Sequence, residues 1–268
     1  LSGCATAPAA GTAPAATAPA AATAPAQAQA QAPAAQDVGL YELRVYTAAD
    51  GKMADLHKRF RDHTVDLFAK HGMTSIFYGT PVVQEGQPED NRLYYIMGYK
   101  DRAARDASWR AFVTDPNWTS VYQASQVDGS LTSNIESYFL NPAEYSPALS
   151  LDSASQPRTF ELRTYEAAEG KLENIHARFR DHTQRIFEKH GMTNVLYWRP
   201  VEGQETLDGK MVYLLAFPGV AARNQAWRDF ASDPEWQKVA EESQVDGQLL
   251  ASRPESVLLR PTDYSPVQ

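Results

Sequence analysis

The sequence predicts an α+β protein built from two copies of one β-α-β-β-α-α-β unit. Three observations lead there. Whole segments recur: Tyr41-Glu42-Leu43-Arg44-Val45-Tyr46 returns as Phe160-Glu161-Leu162-Arg163-Thr164-Tyr165, and Phe60-Arg61-Asp62-His63-Thr64 returns unchanged as Phe179 to Thr183, 119 positions later. Lys70-His71-Gly72-Met73-Thr74 and Ser125-Gln126-Val127-Asp128-Gly129 also return, the second at an offset of 118. A period this long is the size of a small domain, not of a solenoid repeat of about 20–50 residues. Finally, each copy begins with period-two alternation and continues with apolar residues at helical spacing.

The elements come in order. Tyr41, Leu43 and Val45 alternate with Glu42, Arg44 and Tyr46, which makes a first strand. Gly51-Lys52 and Gly170-Lys171 turn the chain into a helix whose stripe reads Met53, Leu56, Phe60, His63, Leu67 and, in the second copy, Leu172, Ile175, Phe179, His182, Ile186. Gly72 and Gly191 fit the left-handed position just past its end. Strands are expected over 74–78 and 93–99, and over 193–198 and 211–217. A helix carrying Trp109 and Phe112, or Trp227 and Phe230, comes next. Asp115-Pro116 and Asp233-Pro234 then read as an N-cap followed by proline at the first helical position. A last strand covers 137–140 or 256–259. This order is a ferredoxin-like split βαβ with an extra helix. The domain boundaries read as 37–147 and 157–266, joined by a polar, proline-bearing linker.

Residues 5–36 are Ala, Pro, Thr, Gln and one Gly, without charge. Such a segment buries too little apolar surface to offset its ordering entropy, so it reads as an extended, disordered tether. The formal charge of −8 lies wholly in the remainder and argues against a nucleic-acid partner. The one cysteine, Cys4, excludes an internal disulfide and a thiol catalyst in the folded part. Leu1-Ser2-Gly3-Cys4 resembles the end of a bacterial lipobox, with residues 1–3 as the last remnant of a signal. Cys4 is then the lipidation site, and Ala5 after it resembles the outer-membrane sorting class. The expected address is the cell envelope, anchored by lipid to the outer membrane and facing the periplasm.

Tyr-Glu-Leu-Arg-x-Tyr, the Gly-Lys turn, the helix ending Lys-His-Gly-Met, and Trp-x-x-Phe-x-x-Asp-Pro-x-Trp together resemble the NIPSNAP family, over both copies. The resemblance implies the dimeric α+β barrel superfamily. There two ferredoxin-like units join their sheets into a barrel with helices outside. In this chain the two repeats would form that barrel as an intrachain pseudo-dimer. The superfamily holds haem-using and cofactor-free monooxygenases as well as members with no known reaction, so the resemblance says little about activity.

These positions yield the candidate site residues. His63 and His182 fall on the helix stripe and are expected to point, buried, into the helix–sheet layer, while His57, His71, His176 and His190 stay more exposed. A neutral imidazole in that layer could serve as a general base or bind haem; it could equally be a hydrogen-bonded core residue. No cluster of metal-ligand spacing is present, and no metal site is expected. Glu42, Arg44 and Tyr46, with Glu161, Arg163 and Tyr165, share one strand face. If that face lines the barrel, four charges meet between the sheets. They would serve either as a register-setting ion network across the pseudo-twofold axis or as a ligand-binding carboxylate site on Arg44 or Arg163. Arg59-Phe60-Arg61-Asp62 reads as a solvated helix face. Gly79 stands where the second copy has Trp198, which suggests room for a ligand in the first half, near His63. Neither a phosphate loop, a Ser-His-Asp arrangement nor a paired-carboxylate motif is apparent. The expected function is that of an envelope protein holding a small apolar or aromatic ligand or a partner protein. The competing expectation is a cofactor-free or haem-dependent monooxygenase.

Overall fold

The computed structural model describes residues 38–83, 86–150 and 158–267. Cys4, the Ala/Pro-rich segment 5–36 and the linker stretch 151–157 lie outside the described residues. The first repeat runs β1 (Leu40–Ala48), a first helix, β2 (Thr74–Pro81), β3 (Arg92–Tyr99), α3 (Arg102–Val113), α4 (Pro116–Ser125) and β4 (Thr132–Pro142). Its first helix consists of α1 (Met53–Arg59), a π-helical turn (Phe60–Thr64) and α2 (Val65–Lys70). The second repeat runs β5 (Thr159–Glu166), α5 (Leu172–Arg178), a π turn (Phe179–Thr183), α6 (Gln184–Lys189), β6 (Thr193–Pro200), β7 (Lys210–Phe217), α7 (Val220–Ser232), α8 (Pro234–Glu242) and β8 (Glu255–Pro261). The helix boundaries reflect local chemistry. Asp115 and Asp233 accept from the backbone N–H two residues on, and a proline opens each helix. Gly72 and Gly191 take φ of +73°, as the helix ends require.

The eight strands close into one antiparallel barrel in the order β1-β3-β2-β8-β5-β7-β6-β4. Each repeat supplies four strands, and two short seams join the halves, β2 with β8 and β4 with β6. Tyr41, Leu43 and Val45 point inward with Tyr94 and Ile96, and meet Phe160, Leu162, Val212 and Leu214 of the other half in one apolar core. The opposite face of β1 carries Glu42, Arg44 and Tyr46 toward the helices. The expectation that these charges line the barrel is therefore corrected. Pleating sends alternate residues to opposite faces, and the apolar set of β1 has taken the barrel side.

The ends of the repeats are exchanged. After β8 the chain crosses onto the first repeat, where Thr262 N–H donates to Tyr78 O at 2.9 Å and Tyr78 N–H donates to Ser265 Oγ at 3.1 Å. After β4 it crosses onto the second, where Ala143 N–H donates to Tyr197 O at 2.9 Å and Tyr197 N–H donates to Ser146 Oγ at 3.0 Å. The repeated Tyr-Ser-Pro at the end of each copy thus inserts Tyr264 under the first repeat's helices and Tyr145 under the second's.

Gly79 does not open a cavity beside His63. Its missing side chain lies within the barrel, and the Phe77 ring has moved into the space: a Cβ on Gly79 would stand 2.5 Å from that ring and 3.1 Å from Arg260 O. Phe77 packs on Phe160 at 4.8 Å, while in the other half Trp198 packs on Tyr41 at 5.6 Å. The two halves fill the same core with different rings. Gly79→Ala is expected to lower stability by about 1–3 kcal/mol through overpacking. Urea unfolding measures it, and an unchanged midpoint would contradict this packing.

Candidate functional site

The helix–sheet layer of each half is built around one buried carboxylate. Glu42 is 0 % exposed and accepts from Arg44 Nη1 at 2.6 Å, from Arg105 Nε and Nη2 at 2.9 and 2.7 Å, and from Ser137 Oγ at 2.6 Å. Glu161 has the same set in Arg163, Arg223 and Ser256, and also accepts from Trp227 Nε1 at 2.7 Å. Burial pushes these carboxyl groups up. The hydrogen bonds from Arg105 or Arg223 and the charges beside them outweigh it and hold both at about 2. Arg44 lies 4.5 Å from the Trp109 ring centre and Arg163 lies 4.3 Å from that of Trp227, so the indoles roof the guanidinium groups. Pairing is thus within each half, not across the pseudo-twofold axis. Glu42 with Arg44 and Glu161 with Arg163 form ion networks whose carboxylates are fully bonded, while Arg44 Nε and Arg163 Nε have no partner among the described residues.

The first helix departs from its expected register. In the π turn Val65 N–H bonds Phe60 O and Gln184 N–H bonds Phe179 O, five residues back. The extra residue rotates the remainder of the helix about its axis. Thr64 and Thr183 take the buried positions, each hydroxyl donating 3.1 Å to the carbonyl of Arg59 or Arg178. His63 and His182 are exposed, and the expectation that they enter the helix–sheet layer is overturned. The buried imidazole is His176, 0 % exposed, and His57 is half-buried in the matching place. Their Nδ1 atoms meet the swapped tyrosines, His176 with Tyr145 Oη at 2.7 Å and His57 with Tyr264 Oη at 2.8 Å. His176 Nε2 is enclosed without a partner among the described residues. Burial first, and the Arg199 charge second, lower its pKa to about 4.

Lys70 and His71 close on the Asp115 carboxylate at 2.6 and 2.8 Å, and Lys189 and His190 on Asp233 at 2.7 and 2.6 Å. This fastens the first helix to the start of α4 or α8. The Lys-His and Asp-Pro motifs are two sides of one clip.

Between each first helix and the last helix of its repeat runs an open cleft. In the first half it holds about 380 Å³, bounded by Lys52, Lys58, Arg59 and His63 on one wall and by Val121, Ala124 and Ser125 on the other. In the second half it holds about 280 Å³ and is lined by Arg178, His182, Val239, Glu242 and Ser243. The exposed histidines stand on the rims of these clefts. Haem does not fit them: the rims carry charged side chains where a porphyrin needs apolar walls, and among the described residues no hydrogen bond orients either imidazole as an axial ligand. Sequence reasoning missed Arg59 and Arg178 as cleft residues, placing Arg59 and its copy on a solvated face. They are buried, at 7 % and 8 % exposure. The available signal was the repeated Ser-Gln-Val-Asp-Gly, whose serine hydrogen-bonds the guanidinium in both halves.

The NIPSNAP family model matches residues 41–147 and again 160–266. Among solved structures the chain is similar to an anthrone oxidase-like protein, with 13 % identity over 85 % of this chain and 93 % of that one at a TM-score of 0.54. It is also similar to a monooxygenase-like protein from Lactobacillus acidophilus, 11 % identical over 84 % and 94 % at 0.51, and to one from Fusobacterium nucleatum, 10 % identical over 84 % and 92 % at 0.52. These likenesses show the fold alone. A search of curated proteins gave no match.

The depressed pKa of His176 has a stability consequence. An unfolded histidine titrates near 6.5 and the folded one near 4, so between these values the unfolded chain binds more protons. The contribution of the neutral imidazole is complete above about pH 6.5 and is lost as pH falls toward 4, amounting to about 2 kcal/mol at pH 5. Urea unfolding at pH 7 and pH 5 measures it. His176→Gln should show a correspondingly smaller difference between the two pH values; an unchanged difference would refute the assignment.

Proposed function

Given that the chain belongs to the NIPSNAP family, we propose that it is an envelope-tethered protein that binds a small ligand in the cleft between the first helix and α4 of its first repeat. One observation carries the reading: a cleft of about 380 Å³ opens directly beside the π turn, and it is the larger of the two repeat copies. π turns interrupt a helix at a cost in regularity and recur at functional sites, where the extra residue re-aims side chains. Here the turn puts Thr64 inside and leaves His63 on the cleft rim. A volume of a few hundred Å³ suits a small ligand.

The address rests on sequence. Cys4 behind Leu1-Ser2-Gly3 accepts lipid in this reading, and the Ala/Pro-rich stretch spaces the barrel from the outer membrane, so that the cleft samples the periplasm. The oxygenase reading has the fold of the monooxygenase-like neighbours behind it. It would place His63 at the reacting centre, but a general base is held by a third group, and no hydrogen bond orients this exposed imidazole among the described residues.

Two measurements test the proposal. Ligand-observed NMR with a set of small aromatic and aliphatic compounds should give hits on the wild-type chain that disappear in Ala124→Trp, which fills the cleft from an exposed position. Hits that survive this substitution, or none at all, would refute cleft binding. For the address, Cys4→Ser should move the protein from the membrane fraction of a bacterial host to the soluble envelope fraction. A wild-type protein already soluble in the cytoplasm would overturn the tether.

A further inference from the structure

Arg59 is a buried cation without a carboxylate. It is 7 % exposed, its Nε is enclosed with no partner, and its Nη1 donates to Ser125 Oγ at 3.2 Å. The rest of the guanidinium rests on ring faces, 5.5 Å from the Trp118 centre and 5.8 Å from that of Tyr122. Among the described residues no ion pair forms to Arg59. Arg44 and Arg105, in the same layer, both have Glu42. Removing a cation from water is costly unless an anion meets it. Burial accordingly pulls the Arg59 pKa below its ordinary value. The fold holds this unpaired charge at the wall of the open cleft.

The surroundings favour an anion in the first half over the second. In the first cleft Lys52, Lys58 and Arg59 face Asp55 and Asp128, with Asp62 beside them. In the second half Ala177 stands where the first has Lys58, Glu242 where it has Ala124 and Asn174 where it has Asp55, while Lys171 and Asp181 repeat Lys52 and Asp62, so the second cleft carries one net positive charge fewer. The same guanidinium sits in both halves, but in the second Glu242 brings a carboxylate to the cleft wall where the first has Ala124.

We propose that the cleft of the first repeat binds a small organic acid, with a single carboxylate on Arg59 and an apolar body against Val121 and Ala124. This rests on the ligand-binding reading above and adds its chemical class. A guanidinium is a charge-assisted donor to a carboxylate, Lys58 adds attraction from the rim, and the apolar wall suits an acid with a single charge.

The test uses the full chain and two probes of the same shape, benzoate and benzamide, titrated calorimetrically at pH 7 and low salt. Benzoate should bind at one site per chain at least tenfold more tightly than benzamide. Arg59→Gln should abolish that preference. Two exposed substitutions that spare the buried layer, Lys58→Ala with Ala124→Glu, copy the second cleft and should abolish it too. The reciprocal pair Ala177→Lys with Glu242→Ala should create a second benzoate site. Equal binding of the two probes, blocked by Ala124→Trp, would overturn the acid class and leave cleft binding intact. Binding of either probe that Ala124→Trp does not touch would overturn the cleft reading itself. A benzoate preference that persists in both Arg59→Gln and the Lys58→Ala, Ala124→Glu protein would overturn the role of Arg59.

Discussion

Closure of the barrel is the constraint on which the rest of the structure depends. Four strands of one repeat have an apolar face, set by residues such as Tyr41, Leu43, Ile96 and Leu140, and two edges. Left alone, that sheet would expose both to water, which invites association with other chains. The second copy covers the face and pairs the edges. The seams are short, three residue pairs each, and so contribute little backbone pairing by themselves. The exchanged ends extend them: Tyr145-Ser146 and Tyr264-Ser265 cross to the opposite half and satisfy its backbone at Tyr197 and Tyr78. Because both copies sit on one chain, closure needs no encounter between molecules. The halves are also free to differ, as Phe77 and Trp198 do in the core and as the two clefts do on the surface.

Closure also decides where charge resides. With the apolar face of β1 committed to the barrel, Glu42 and Arg44 are sent into the helix–sheet layer, dry on one side and roofed by Trp109 on the other. A buried carboxylate there is stable only if fully bonded, and Glu42 receives four hydrogen bonds from Arg44, Arg105 and Ser137. Loss of one partner from such a network costs about 3–5 kcal/mol. The sequence features that mark the family are accounted for in this way. Tyr-Glu-Leu-Arg-x-Tyr and Trp-x-x-Phe build the network, and Lys-His-Gly with Asp-Pro builds the clip from the first helix to α4. These parts are structural; the motifs reach the cleft only through Lys52 of the Gly-Lys turn and through Trp118, which packs on Arg59.

Much of the architecture was legible in the sequence for physical reasons. Duplication is visible because the two copies still solve the same packing problem with the same residues. The helix ends could be read because a left-handed Gly72 and an Asp115-Pro116 start depend on local chemistry alone. Three features were not legible. The π turn leaves no mark in the apolar spacing, so a regular 3.6-residue period put His63 inside where Thr64 belongs. The side of β1 that faces the barrel depends on the partner repeat, which alternation within one strand does not encode. The burial of Arg59 depends on α4 lying across it, a tertiary contact between residues 66 positions apart. The error over Gly79 has the same origin: an absent side chain reads as space until a neighbour, here Phe77, is seen to fill it.

One chain closes its own barrel by crossing its ends. The most direct test is a cysteine pair at Thr80 and Arg260, which face each other across the β2–β8 seam, in a chain whose Cys4 is replaced by serine. On mild oxidation the account predicts a disulfide within the monomer, seen as a mass loss of two hydrogens and a faster band on non-reducing electrophoresis. Free thiols, or a disulfide found only between chains, would contradict it.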